Sequence, residues 1–226
     1  MLDTLFTLLG FTAEPTHIPP THMLEIHAQP VLKKFSEPII QAKSAIVIDL
    51  DSGKILFEKN SKQKLHIASL TKLMTGIIAR ENYKLDEIIT VSKNAARQPA
   101  AKIWLPAGER ISVENLLKAT LIESANDAAT ALADKIGEET FVKKMNDKAI
   151  ALGLTQTKFA NPVGYDNENN FSTTFDLAIL AQYFLRDEFL KNTVATPKEG
   201  ISSQNGKMYH LYSTNNLFGS YLDIRG

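Results

Sequence analysis

Between residues 57 and 70 the hydrophobic period of the chain changes from that of a strand to that of a helix. Before the change, Ala45 to Leu50 is a β-branched run, Asp51-Ser52-Gly53 has turn chemistry, and Lys54 to Phe57 resumes the strand pattern. This reads as a β-hairpin. After it, Leu70, Leu73, Met74, Ile77 and Ile78 recur at helical spacing, so a helix beginning at Ser69 is expected. A chain that must cover a strand pair with long apolar helices is restricted to a few layered architectures.

Local signals extend the map. A second helix is expected from Val113 to Ile122, with Ser112 as N-cap and Glu114 in its first turn. A third covers Ala128 to Ile136, and a fourth runs from Thr140 to Leu152 and stops at Gly153. A fifth starts near Thr174, where Thr173 and Asp176 form a capping pair. After Arg186 the pattern is irregular, and Asn205-Gly206 marks a second hairpin. The order is strands, helices, strands, hence α+β. Few strands are available to support five helices.

Composition removes several function classes. The 226 residues carry 25 Lys+Arg against 25 Asp+Glu, so no basic footprint for nucleic acid exists. With no cysteine, disulfides, thiolate metal sites and Cys nucleophiles are excluded. No apolar run approaches the ~20 residues that span a bilayer as a helix. Residues 1–12 are apolar, but Asp3 stands where a signal peptide has basic residues. A signal-peptide core or membrane-surface anchor competes with a short packed helix or a fragment of a longer leader. Residues 13–40 contain five prolines and read as an extended arm, giving expected domains of 1–40 and 41–226. His17, His22 and His27 lie in this arm at spacings unsuited to a helical metal site.

Two short motifs carry chemistry. In Ala68-Ser69-Leu70-Thr71-Lys72, a helix would set Ser69 and Lys72 side by side. A serine hydroxyl needs a base within hydrogen-bond reach to act as a nucleophile. A buried lysine can serve, because desolvation disfavours its ammonium form. The alternative is that Ser69 caps the helix and Lys72 is solvated. In Glu123-Ser124-Ala125-Asn126-Asp127, a turn between helices could aim Ser124 and Asn126 into one cleft. Ser124 could relay a proton, and the Asn126 amide could both donate to and accept from a peptide. Here the alternative is helix capping by Asn126 or Asp127.

Together these motifs resemble the set Ser-x-x-Lys, Ser-Asp-Asn and Lys-Thr-Gly of β-lactamases and penicillin-binding proteins, with Ser124-Ala125-Asn126 as the middle motif here. The resemblance extends over residues 41–226. It includes Lys43-Ser44-Ala45, Asp51-Ser52-Gly53-Lys54, Asn161-Pro162-x-Gly164 and Ser172-Thr173-Thr174-x-Asp176-Leu177-Ala178. The chain is similar to the low-molecular-mass penicillin-binding proteins, the serine-type D-alanyl-D-alanine carboxypeptidases. The resemblance implies an antiparallel sheet with a helical subdomain inserted between the first two motifs. It implies Ser69 as acylated nucleophile, Lys72 as its base, Ser124 as proton relay and Asn126 as substrate-binding residue. The Ser69 backbone N–H would be one oxyanion donor. The implied partners are peptidoglycan stem peptides ending in D-Ala-D-Ala and β-lactam antibiotics, in the extracytoplasmic cell envelope. No cofactor, metal or nucleic acid is implied.

One departure stands out. Lys-Thr-Gly does not occur in the 226 residues, which end near where its strand would begin in the family. The expectation is a fragment lacking the substrate-carboxylate clamp and the C-terminal sheet strands, inactive alone. A serine β-lactamase and a non-catalytic wall-binding protein are the rival functions. The Glu-x-x-Leu-Asn pattern of fast penicillin hydrolysis is absent after Gly164, which favours slow release of penicillin.

Overall fold

The computed structural model describes residues 38–99 and 101–218. Contacts divide the chain at Gln41/Ala42, and every helix and strand described belongs to the second unit, Ala42–Gly226. The expected apolar segment 1–12, the histidines of the arm and Arg225-Gly226 lie outside the described residues.

The first hairpin pairs β1 (Ala45–Ile48) with β2 (Ile55–Lys59), antiparallel. Its turn is held by Asp49, whose carboxylate accepts from the Ser52 amide at 2.8 Å, and by Gly53 at φ 68°. A short 3₁₀ turn, Ala68–Leu70, then leads into α1 (Thr71–Asn82). The helix expected from Ser69 thus begins two residues later, and Ser69 lies in the 3₁₀ turn. A second hairpin comes next: β3 (Ile88–Thr90), the single turn α2 (Lys93–Ala96), and β4 (Arg110–Ser112). Three-residue strands are too short to produce a period-2 signal, which is why the sequence alone does not reveal them.

The helical block continues with α3 (Val113–Ile122), α4 (Asn126–Asp134), α5 (Glu138–Ala151) and α6 (Thr174–Phe184). Ser112 caps α3 by accepting from the Asn115 amide at 3.2 Å, and Thr173 caps α6 by accepting from the Asp176 amide at 3.1 Å. The segment after Arg186 is not irregular. Asp187 accepts from the Leu190 amide at 3.0 Å and starts α7 (Glu188–Val194). The last hairpin pairs β5 (Lys198–Ser202) with β6 (Met208–Tyr212) around Gly206 at φ 83°.

The architecture is α+β. Among the described residues the strands form three separate two-stranded antiparallel sheets, not one platform. The core lies in the helices. Central α1 packs against α3, α4, α5 and α6, and buries Met74, Ile77 and Ile78 among Leu116, Leu117, Leu132, Phe141 and Phe184. Each such side chain contributes roughly 1.5–3 kcal/mol of transfer free energy. At the crossing, a Cβ on Gly76 would sit 3.4 Å from the Phe184 ring. The block therefore holds α1 firmly, and α1 carries the first motif's lysine.

Candidate active site

Ser69 is exposed at the top of the 3₁₀ turn, and Lys72 lies beneath it, only 3% exposed. The 3₁₀ turn runs directly into α1, and residues three apart stay on one face across the junction, so the pair meets although Ser69 is outside the α-helix. Lys72 Nζ lies 3.0 Å from Ser69 Oγ and donates to the Val163 carbonyl at 3.0 Å. Burial lowers the Lys72 pKa from the ordinary lysine value to about 8. At pH 7 roughly a tenth of such an amine is neutral.

The turn is strained. Ala68, which precedes the serine, has φ 44°, an uncommon conformation for a residue with a Cβ. It is pressed by the loop 161–165. Gly164 has φ 95°, and a Cβ there would fall 1.9 Å from the Ala68 carbonyl oxygen. Asn161 folds this loop: its Oδ1 accepts from the amides of Val163, Gly164 and Tyr165 at 3.2, 2.7 and 3.0 Å. Thr75 of α1 donates to the Pro162 carbonyl at 2.6 Å. The sequence motif Asn161-Pro162-x-Gly164 suggests a border to the site and no chemistry. In the structure the loop supplies the lysine's acceptor and fixes the turn that holds Ser69.

The second motif bridges α3 and α4. Ser124 has φ 58° and is half-buried. Asn126 is expected on the turn but is the first residue of α4, which starts two residues before the expected Ala128. It is buried, its backbone amide donates to the Ala101 carbonyl at 2.7 Å, and its side chain lies beside the Tyr165 phenol. Tyr165 also donates to Gln98 Oε1 at 2.8 Å. The loop 161–165 therefore contacts Lys72 at one end and Asn126 at the other, bringing both motifs to one site. Among the described residues no hydrogen bond joins Ser124 to Ser69 or Lys72.

Neither Asn126 nor Asp127 is the N-cap of α4; Ala125 is, without a side-chain cap. Asp127 does something the sequence does not suggest. Fully buried, it accepts from the amides of Leu105 at 2.9 Å, Ile103 at 3.3 Å and Ala128 at 3.0 Å. Burial raises its pKa, and the three amides oppose that rise. Its partners Ile103 and Leu105 lie more than twenty residues away, beyond any local pattern. Among the described residues no group of three or more His, Asp or Glu could hold a metal ion.

Residues 32–224 match the family model described as D-alanyl-D-alanine carboxypeptidase. The chain belongs to that family. It is 38% identical over 201 residues to D-alanyl-D-alanine carboxypeptidase DacF of Bacillus subtilis, covering 86% of this chain and 52% of the relative. It is 38% identical over 163 residues to D-alanyl-D-alanine carboxypeptidase DacC of Escherichia coli, covering 66% and 41%. The chain thus spans about half the length of the curated relatives it matches. Among solved structures, a D-alanyl-D-alanine carboxypeptidase from Mycobacterium tuberculosis aligns with TM-score 0.79 at 26% identity, covering 84% of this chain and 73% of that one. A Streptomyces DD-transpeptidase mutant aligns with TM-score 0.79 at 28% identity, covering 84% and 80%. The helical block with its small antiparallel sheets is thus the fold of the penicillin-binding DD-peptidases.

Proposed function

We propose that this protein removes the terminal D-alanine from peptidoglycan stem peptides through an acyl-enzyme on Ser69, and that β-lactams inhibit it by acylating the same hydroxyl. The observation that carries the reading is the 3.0 Å contact between exposed Ser69 Oγ and buried Lys72 Nζ, with the lysine pKa lowered to about 8. The neutral amine takes the hydroxyl proton as Oγ attacks the penultimate carbonyl carbon. The backbone N–H of Ser69 donates to the developing oxyanion. Collapse of the tetrahedral intermediate breaks the peptide bond, and the departing D-alanine nitrogen receives a proton through Ser124. Water then attacks the ester and restores the Ser69 hydroxyl. The Val163 carbonyl can only accept, so it orients the amine without competing for its lone pair. Asn126, whose backbone is tied to Ala101, presents its side-chain amide to the peptide.

This chemistry belongs in the extracytoplasmic envelope of a bacterium, the periplasm or the outer face of the cytoplasmic membrane. Among the described residues no helix is long and apolar enough to cross a membrane. The apolar segment 1–12 is the part suited to membrane-surface association.

The test is a fluorescent penicillin together with release of D-alanine from a peptide ending in D-Ala-D-Ala. Stable labelling that disappears in a folded Ser69→Ala variant is expected. Labelling that persists in that variant removes Ser69 from the mechanism. Rapid penicillin turnover would instead indicate a β-lactamase.

A further inference from the structure

The loop joining α2 to β4 turns its largest side chain outward. Ile103 and Leu105 are buried, whereas Trp104 between them is 72% exposed. Trp104 has φ 64° and Ala101 has φ 61°, so two non-glycine residues of this loop occupy the left-handed region. Residues with a Cβ hold that conformation only when their surroundings enforce it. The enforcement comes from the second motif. Asp127 ties the amides of Ile103 and Leu105, on either side of Trp104, to the first turn of α4. The Ala101 carbonyl receives the Asn126 amide. The backbone of the loop that carries the indole is thus tied to Asn126 and Asp127, and its shape is set by the second motif.

Its neighbour is a cation. Lys102 Nζ lies 4.4 Å from the centre of the Trp104 ring and makes one long hydrogen bond, 3.5 Å, to the Ala96 carbonyl. Among the described residues no carboxylate pairs with it. An exposed indole flanked by an uncompensated ammonium complements a ligand that offers a methylene chain ending in a carboxylate.

Resting on the function proposed above, we propose that Trp104 and Lys102 form a specificity subsite for an acidic, methylene-bearing side chain on the stem peptide, N-terminal to D-Ala-D-Ala. The indole covers the methylenes and the ammonium meets the carboxylate.

Trp104 is the single tryptophan of the chain, so its emission reports occupancy directly. The protein is prepared as Ser69→Ala, which cannot be acylated. It is titrated with acetyl-X-D-Ala-D-Ala, where X is 2-aminoadipate, norleucine or lysine, by tryptophan fluorescence and by calorimetry. The expected result is a saturable change in emission with the aminoadipate peptide. That peptide should bind roughly threefold more tightly than the norleucine peptide, the scale of an exposed ion pair. Lys102→Met should erase this difference. Trp104→Ala should weaken the aminoadipate peptide by roughly tenfold in calorimetry, with Trp104→Phe recovering part of the loss. Equal binding of the three peptides, or saturation in calorimetry with unchanged emission, overturns the subsite. If such a result accompanies normal penicillin labelling and D-alanine release by the unmutated protein, the function stands and only the subsite falls. Failure of labelling, release and binding together overturns both.

Discussion

The two turns that carry the candidate serines solve the same problem in different ways. Each has a residue with a Cβ in the left-handed region: Ala68 at φ 44° in the first, Ser124 at φ 58° in the second. In the first turn the strained residue is the neighbour of the serine. The strain is held from outside, by Gly164 against the Ala68 carbonyl and by Lys72 anchored on Val163. In the second turn the strained residue is the serine itself, and among the described residues no hydrogen bond joins its hydroxyl to the first motif. At position 69, then, backbone shape and side-chain chemistry are assigned to different residues. At position 124 one residue carries both, so a substitution there mixes the two effects unless they are separated by design.

The largest expected effect tests the chemical side of the first turn. Lys72→Arg should slow penicillin acylation by about a thousandfold or more, because a guanidinium stays protonated at any working pH. An arginine variant that acylates at the normal rate would reduce the first turn to a capped helix start. In the unmutated protein the acylation rate should rise with pH, reach half its maximum near pH 8 and level off above it, as the Lys72 amine loses its proton. The same pKa shift acts on stability. Between about 8 and the ordinary lysine value of 10.5 the unfolded chain binds a proton that the folded chain does not, so this group favours folding increasingly as pH rises through that window. Thermal melts across the window check the sign.

Next in size is the hydroxyl of the second turn. Ser124→Ala should lower D-alanine release by about a hundredfold while shifting stability little. If the variant melts early and turns over normally, Ser124 has a structural role and the contrast between the turns collapses.

The third effect is on stability. Gly164→Ala should cost about 2–4 kcal/mol and slow acylation as well, since the new methyl must displace the Ala68 carbonyl. Gly53→Ala provides the control. It has a similar φ of 68° with nothing within 4 Å of the added Cβ, so it should cost only about 1 kcal/mol. Equal losses at the two positions would mean that the loop 161–165 does not hold the first turn.

The smallest effect sharpens the second turn. Ser124→Gly lacks the hydroxyl, like Ser124→Ala, but relieves the positive φ. Its folded state should exceed that of the alanine variant by roughly 1 kcal/mol, with equally low turnover. A glycine variant that is less stable than the alanine variant would show that the turn is not strained.

How much of the molecule is legible in the sequence depends on the distance over which each signal acts. Helix α3 is readable with its Ser112 cap, because cap, first turn and apolar period lie within one stretch of chain. The hairpin at Gly206 is readable for the same reason. Strands β3 and β4 are not, since three residues carry no period and their pairing is decided by what packs beneath them. Helix α7 escapes because its seven residues are too few to establish a pattern, although Asp187 is present as a cap. The start of α4 is hidden because Asn126 and Asp127 resemble turn residues. Both enter the helix, and Asp127 directs its carboxylate to a distant loop.

By itself the sequence determined the residue types of the site, the three-residue interval between Ser69 and Lys72, and the two-residue interval between Ser124 and Asn126. Those depend only on covalent order and local geometry. Tertiary structure alone decided what the types can do. Lys72 has a pKa of about 8 because α1 is surrounded by other helices, and desolvation sums over everything that excludes water. Gly164 matters because the fold sets it against a carbonyl nearly a hundred residues earlier in the chain. The two motifs meet because one loop touches Lys72 and Asn126 together. Burial and close approach are properties of the packed molecule, and no window of sequence contains them.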